Sequence, residues 1–184
     1  MFAFTERSKA GLFMELERLL NAEYVVYKSN SVCKVEGIEV RNITGTLDKR
    51  DYLVLMPINK RESKIYVPAD NELLLSKIRR ALNKEEIDSV LASLKGEEMA
   101  WIDGRKERTE YFKKALSDGD HRELLLIIRC INNRKLSLAH IHRKISGQDD
   151  SVLQNAIKMV SEEFAFSLGI GKEAVGEYIR SALD

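Results

Sequence analysis

The chain has 184 residues, a length that suits one large domain or two small ones. Its 30 lysine and arginine residues almost balance its 29 aspartate and glutamate residues, which excludes a polycation that coats nucleic acid, so any DNA-binding surface must be local. The two cysteines, Cys33 and Cys130, exclude a disulfide framework or a cysteine-rich zinc site, and we expect both to be reduced thiols in a cytoplasmic protein.

Residues 1–21 are the first predicted segment, an N-terminal extension that we expect to be helical. This segment mixes charged and apolar residues and lacks the apolar region and cleavage site of a signal peptide. The apolar face of the predicted helix holds Phe13, Leu16, Leu19 and Leu20. Along the sequence no apolar run is long enough to span a membrane, so we expect no membrane association.

Residues 22–82 have the pattern of a small β domain. Short runs rich in β-branched and aromatic residues alternate with turn signals, and they lie at 24–27, 32–40, 52–58 and 64–68. Residues 42–51 predict a hairpin loop, whereas residues 71–82 suit either a helix or a closing strand. Four or more short strands without a long helix between them predict a small antiparallel sheet or half-open barrel.

Residues 83–184 change to a helical period. Their apolar stripes and cap signals predict about five helices, at 83–96, 101–116, 121–131, 147–168 and 172–183. Asn83, Asp120 and Ser146 are the expected N-caps, and the acidic pair Asp149 and Asp150 complements a helix dipole. The predicted fold class is therefore α+β, with a small antiparallel β-barrel followed by a compact all-α domain.

The sequence contains no constellation that indicates catalysis. Gly171 and Lys172 resemble part of a phosphate-binding loop, but Glu173 stands where that motif requires serine or threonine. His140 and His142 are spaced as metal ligands on a strand would be, but no third ligand is close in sequence. We expect no enzymatic activity, no metal and no cofactor.

Basic residues gather in the helical half around Trp101, the only tryptophan. Five follow it directly: Arg105, Lys106, Arg108, Lys113 and Lys114. Between residues 121 and 144 a further group is opposed by Glu123 alone: His121, Arg122, Arg129, Arg134, Lys135, His140, His142, Arg143 and Lys144. A basic helical surface beside an aromatic side chain is typical of a DNA-binding face, although a charged run is more often a solvated surface.

Several segments resemble the CarD family of bacterial transcription regulators. YVVYKSNSVCKVEGIE (24–39), YLVL (52–55) and KIYVP (64–68) resemble the RNA-polymerase-interacting domain of that family. The tryptophan that precedes a basic helix, SDGD (117–120), LLLIIR (124–129), RKISGQDDSVLQNA (143–156) and VSEEFAFSLGIGKEAVGEYI (160–179) resemble its C-terminal helical domain. The resemblance covers roughly residues 22 to 182, and its specificity lies in the order of the motifs across both halves.

The resemblance implies a function in transcription initiation. In the family, a Tudor-like barrel docks on the β subunit of RNA polymerase, and a tryptophan of the helical domain enters the minor groove at the upstream edge of the promoter bubble. Trp101 stands at that position, and the cations expected to hold DNA phosphates near it are Arg105, Lys106, Arg108, Lys114, Arg134 and Lys135. The expected polymerase contacts are Arg41 and the strand residues Ile65, Tyr66 and Val67. The resemblance also implies a monomer with little sequence specificity.

Two alternatives stay open at this point. The chain could be a protein-interaction adaptor that does not bind DNA, in which case Trp101 would be buried in the helical domain. Tyr66 and Val67 could serve only to pack the barrel. The expected domains are residues 22–82 for polymerase binding and 83–184 for DNA contact.

Overall fold

The computed structural model describes residues 6–27, 31–42, 49–59 and 63–183. The chain divides into two compact units, Met1–Ala81 and Leu82–Asp184. A five-stranded antiparallel sheet lies in the first unit and a set of helices forms the second, which confirms the predicted α+β fold class. Within the described ranges, every helix is too short or too polar to cross a membrane.

The first unit is built around a sheet with the strand order β4-β3-β2-β1-β5. Its elements are α1 (Glu6–Leu20), β1 (Tyr24–Tyr27), β2 (Ser31–Arg41), β3 (Arg50–Pro57), β4 (Ile65–Pro68), α2 (Glu72–Leu75) and β5 (Ile78–Arg79). The ambiguous segment 71–82 thus contains both a short helix and a short strand. Most of the predicted hairpin loop, residues 43–48, lies outside the described residues.

Strand β3 is buried along most of its length. Tyr52, Leu53, Val54 and Leu55 are all buried at successive positions, so both faces of the strand are covered. Its partner β2 has a register shift between Val35 and Gly37, and Gly37 has a φ of +116°, a backbone conformation that favours glycine. Among the described residues the pairing leaves the sheet open, with β4 and β5 at its ends.

The apolar face of α1 differs from the predicted one. Leu19 is fully buried, and Leu12 and Leu16 pack beside it against the sheet core. Phe13 is 63% exposed and Leu20 is 40% exposed, so the prediction that they share the buried face is wrong. Positions 12, 16 and 19 follow the i, i+4, i+7 spacing of a helical stripe, and this stripe was selected over the one through Phe13 because it meets the sheet.

The second unit contains five helices, α3 (Lys84–Ser93), α4 (Arg105–Asp118), α5 (His121–Ala139), α6 (Gly147–Leu168) and α7 (Lys172–Leu183). Three of the predicted N-caps accept hydrogen bonds from the first helical turn: Asn83, Asp120 and Ser146. Helix α4 starts at Arg105, four residues later than predicted, so Trp101 lies in the preceding loop. The segment containing His140 and His142 is the turn that follows α5 and not a strand.

Two apolar clusters hold this unit together. The larger joins α3, α5, α6 and α7, with Ile87, Leu91, Leu124, Phe164 and Val175 fully buried. The smaller, here called the α4 cluster, comprises Phe112, Ala115, Ile127, Ile131 and Leu153. It joins α4, α5 and the first turns of α6, and Trp101 packs against it.

Candidate nucleic-acid interface

Trp101 lies in the loop between α3 and α4 and is partly buried. Its indole packs against the α4 cluster together with other partly buried side chains, Met99, Ile128, Ile145 and Val152. Residues 97–104 have no regular secondary structure, so side-chain contacts set the position of the ring. The structure therefore places Trp101 between the two expectations, because the residue is neither fully buried nor fully exposed.

Arg108 lies inside the unit and not on its surface. The residue is 8% exposed, and its guanidinium donates from Nε and Nη2 to the two carboxylate oxygens of Asp149 at 3.1 and 3.2 Å. Nη1 donates to the carbonyl oxygens of Ile102 and Asp103 at 2.7 and 3.2 Å. The guanidinium carbon lies 4.4 Å from the centroid of the Trp101 ring. Arg108 is thus occupied by contacts within the protein, unlike the phosphate contact that the sequence predicted.

Asp149 is the buried partner that sequence reasoning missed. Its position in the first turn of α6 was predicted to complement the helix dipole, and Ser146 caps that turn by accepting from the Asp149 backbone N–H at 3.1 Å. The Ser146 hydroxyl donates in turn to Asp149 Oδ2 at 2.7 Å. The local signal was the serine three residues before an aspartate, but nothing local indicates a partner 41 residues away.

A second guanidinium approaches Trp101 from α5. The guanidinium carbon of Arg134 lies 5.3 Å from the ring centroid, and the residue is partly exposed. The neighbouring Lys135 is exposed, and its Nζ lies 3.4 Å from Asp150 Oδ1. Among the predicted phosphate contacts, Arg105, Lys106 and Lys114 are also exposed on α4. Arg134 therefore lies beside the indole, and Arg105 and Lys106 open the helix that follows it.

Other basic residues of the helical half serve internal contacts. Arg129 donates to the carbonyl oxygens of Leu94 and Glu97, and Arg122 bonds the Glu97 carboxylate. His121 is 5% exposed, and its Nε2 lies 3.0 Å from Oε2 of the buried Glu163. The basic run between 121 and 144 is thus only partly a surface feature. Within the described ranges no group of three or more His, Cys, Asp or Glu side chains could hold a metal ion.

On the sheet of the first unit, four side chains from two stretches, the end of β2 and the start of β4, form a polar cluster, here called the Arg41 cluster: Glu39, Arg41, Lys64 and Tyr66. Glu39 accepts from Arg41 at 2.7 Å and from Lys64 Nζ at 2.9 Å, and the Lys64 and Arg41 hydrogen bonds lower the pKa of its carboxyl group. The Arg41 guanidinium carbon lies 4.9 Å from the Tyr66 ring centroid. Sequence reasoning missed Glu39, although it alternates with Arg41 along β2 and so shares its face.

Strand β4 forms one end of the sheet and pairs with β3 alone. Tyr66 is partly exposed, and its ring packs edge to face against the ring of Tyr52, with 6.3 Å between the two ring centroids. Val67 is 1% exposed in the sheet core, and Ile65 packs against the same core. Of the predicted polymerase contacts, Arg41 and Tyr66 thus present side chains at the surface.

Residues 21–80 match the family model of the CarD-like/TRCF RID domain, where RID stands for RNA-polymerase-interacting domain. The chain carries a CarD-like domain. This match confirms the resemblance of residues 21–80 to the RNA-polymerase-interacting domain of CarD-type regulators, and it supports the coarse function, which is interaction with RNA polymerase in transcription regulation. No curated protein matches the chain significantly.

The CarD-like domain contains the Arg41 cluster and the open edge of β4, whereas Trp101 and its neighbours lie outside the matched range. The two candidate surfaces therefore have different support. The sheet surface is part of a recognised polymerase-interacting domain. The tryptophan surface depends on its own geometry and on the resemblance of the helical half.

Proposed function

We propose that this CarD-like protein regulates transcription initiation by binding the RNA polymerase β subunit through its sheet and stabilising the promoter open complex with Trp101. The RID match over residues 21–80 is the observation that carries the proposal, because it assigns the sheet to polymerase interaction. The protein would act in the cytoplasm as a monomer on the polymerase.

Docking would use the open edge of β4. An exposed strand edge presents unpaired backbone groups that can pair with a strand of another protein. The Arg41 cluster lies beside this edge and offers a partner two cations, Arg41 and Lys64, around one carboxylate. Arg41 is held over the Tyr66 ring, which orders its side chain before binding and lowers the entropic cost of docking.

The DNA contact would centre on Trp101, which is partly exposed. An aromatic wedge at a distorted base step covers stacking surface that melting exposes, so it favours open over duplex DNA. Arg105, Lys106, Lys114, Arg134 and Lys135 are the cations that would hold phosphates, and such contacts set register without reading sequence. Because Arg108 is buried and fully engaged, its role in this proposal changes from phosphate contact to support of the ring.

The near-neutral charge of the chain fits a protein that polymerase brings to DNA. A net charge of +1 gives weak attraction to DNA by itself. Once docked, the second unit would meet promoter DNA at a high effective concentration set by its tether. It could then act at many promoters without a recognition helix.

The test is the lifetime of the promoter open complex, measured by competitor challenge with the cognate polymerase. We expect the wild-type protein to lengthen the lifetime, Trp101→Ala to remove the effect, and Trp101→Phe to retain part of it because phenylalanine keeps a smaller stacking face. Arg41→Glu should lose the effect by weakening polymerase binding, whereas the Trp101 variants should bind polymerase as the wild type does.

A second candidate function is favoured by one observation, the packing of Trp101 against the α4 cluster. On that interpretation the tryptophan is a structural residue and the helical unit binds another protein. If the wild type and Trp101→Ala both bind polymerase and neither changes the open-complex lifetime, the adaptor function replaces the wedge.

A further inference from the structure

Arg108 connects three parts of the second unit, one of which lies 41 residues away in sequence. It belongs to α4, its carboxylate partner begins α6, and its two carbonyl partners lie in the loop that carries Trp101. An arginine guanidinium is planar, and its donors form a rigid fork that matches a carboxylate on one side. In Arg108, Nε and Nη2 donate to Asp149 and Nη1 donates to the two loop carbonyls, so the plane of the guanidinium is fixed.

Asp149 is also held in place by contacts that do not involve Arg108. Its backbone lies in the first turn of α6, and one carboxylate oxygen accepts from the Ser146 hydroxyl at 2.7 Å. It is 5% exposed, so the pair lies in a medium where charge-assisted hydrogen bonds are strong and where removal of either partner leaves a buried charge. The first turn of α6 thus holds the Asp149 carboxylate, and the carboxylate holds the Arg108 guanidinium.

The Arg108 guanidinium in turn contacts the Trp101 ring. The guanidinium carbon lies 4.4 Å from the ring centroid, within the range of a cation–π contact. Residues 97–103 belong to no helix or strand, so the contacts from Arg108 to the ring and to two loop carbonyls contribute to holding this loop in place. The α4 cluster supplies an apolar seat, which is non-directional and does not by itself fix the angle of the ring.

We propose that Arg108 and Asp149 form a buried mount that holds the Trp101 ring in the orientation in which it enters DNA, so that Arg108 is a positioning residue for open-complex stabilisation. The proposal rests on the proposed function of Trp101. A ring that is ordered before binding loses less rotational freedom when it meets DNA, and more of its contact energy remains to stabilise the open complex.

The experiment compares Arg108→Lys and Asp149→Asn with the wild type in the full chain. Lysine keeps the charge of Arg108 but has no fork and no planar face, whereas asparagine keeps the shape of Asp149 without its charge. Glu162→Gln is the matched control, because it removes the carboxylate from the Lys172–Glu162 ion pair about 20 Å further along α6. Helical content by circular dichroism selects the variants that fold.

Two quantities are measured on each folded variant. The first is the nanosecond anisotropy decay of tryptophan fluorescence, which reports local rotation of Trp101 alone because it is the only tryptophan. The second is the open-complex lifetime, with Trp101→Ala as the reference for complete loss of the wedge.

We expect Arg108→Lys and Asp149→Asn to increase local rotation of Trp101 and to shorten the open-complex lifetime by about threefold or more, with Glu162→Gln unchanged in both. The mount is overturned if both variants restrain the ring as the wild type does. It is also overturned if they free the ring while the lifetime stays at the wild-type value and Trp101→Ala shortens it. If Trp101→Ala leaves the lifetime unchanged, the proposed function fails, and the anisotropy decay alone then decides whether the mount exists.

Discussion

His142 occupies a backbone position that proteins usually reserve for glycine. Its φ of +55° is the one positive value among the described residues other than glycine. The bonds from His142 N–H to the Ala139 carbonyl and from Arg143 N–H to the Leu138 carbonyl form a Schellman motif at the end of α5. Helix α6 ends with the same pair of bonds, and there the equivalent residue is Gly169 with a φ of +65°.

The comparison predicts that His142→Gly stabilises the second unit. Glycine adopts the left-handed conformation without the steric cost of a Cβ atom, and part of this gain is offset by its greater freedom in the unfolded chain. We expect a net gain of about 0.5–1 kcal/mol in the free energy of unfolding. Urea denaturation followed by Trp101 fluorescence measures it.

Gly169→Ala is the matched control for that prediction. A Cβ atom at Gly169 would meet no heavy atom within 4 Å, so the cost of alanine there is conformational alone. We expect a loss of about 1 kcal/mol. Equal stability of the wild type and both variants would show that the left-handed position carries no strain at either helix end.

Helix ends were predictable from sequence because their signals are local. Asn83, Asp120 and Ser146 each accept from a backbone N–H three residues later, a contact that the spacing of residue types reveals. The start of α4 was predicted too early because its N-cap is Gly104, which has no side chain to signal the boundary. The buried face of α1 was misplaced because two overlapping apolar stripes occur in the same helix, and only packing against the sheet selects one.

The candidate site was less predictable than the helices that carry it. Trp101 and the cations near it were proposed from residue type, sequence proximity and the resemblance of the helical half, and their contact with DNA stays a prediction. The sequence could not separate Arg108 from those cations, because burial of Arg108 depends on a carboxylate 41 residues away. For the same reason the pairing of Glu39 with Lys64 across the sheet depends on the strand register, which was not predicted from the sequence.

Helices α4 and α5 are linked by a hydrogen bond from the Tyr111 hydroxyl to the Glu123 carboxylate. This bond raises the pKa of Tyr111 to about 12, because loss of the phenolic proton would place two negative charges together. The folded-state pKa lies above the ordinary value of 10.0, so the contribution to stability is complete below pH 10 and is lost as the pH rises towards 12.

The prediction is therefore a late tyrosine titration that Tyr111→Phe removes. Absorbance of the phenolate near 295 nm, followed from pH 9 to 12.5, should lose its component near pH 12 in the variant. Glu123→Gln should move that component to lower pH, because a neutral amide no longer repels the phenolate. Circular dichroism at each pH restricts the comparison to folded protein, and identical curves for wild type and Tyr111→Phe would contradict the assignment.

Each of the two compact units has an apolar core of its own. Leu53, Leu55 and Val67 belong to the sheet core of the first, and Ile87, Leu124 and Phe164 belong to the helical core of the second. Each unit also contains one buried cysteine, Cys33 in β2 and Cys130 in α5. Burial raises the pKa of Cys33 to about 11 and also raises the pKa of Cys130. Because the thiolate is the reactive form, both thiols should react slowly until their unit opens.

The cysteines thus allow the unfolding of each unit to be followed in the intact chain. Leu53→Ala removes a fully buried side chain from the sheet core and should cost about 2–5 kcal/mol, whereas Phe164→Ala should cost about 3–5 kcal/mol in the helical core. The protein is exposed to short pulses of iodoacetamide at increasing urea concentrations. If the units unfold independently, Cys33 in Leu53→Ala should become labelled at a lower urea concentration than in the wild type, whereas the urea midpoint for labelling of Cys130 should not change. In Phe164→Ala the labelling midpoint of Cys130 should fall and that of Cys33 should stay at the wild-type value. Mass spectrometry of the peptides quantifies the labelling of each cysteine. A common shift of both cysteines in either variant would instead mean that the chain unfolds as one cooperative body, and a polymerase-bound sheet would then stabilise the helical unit directly.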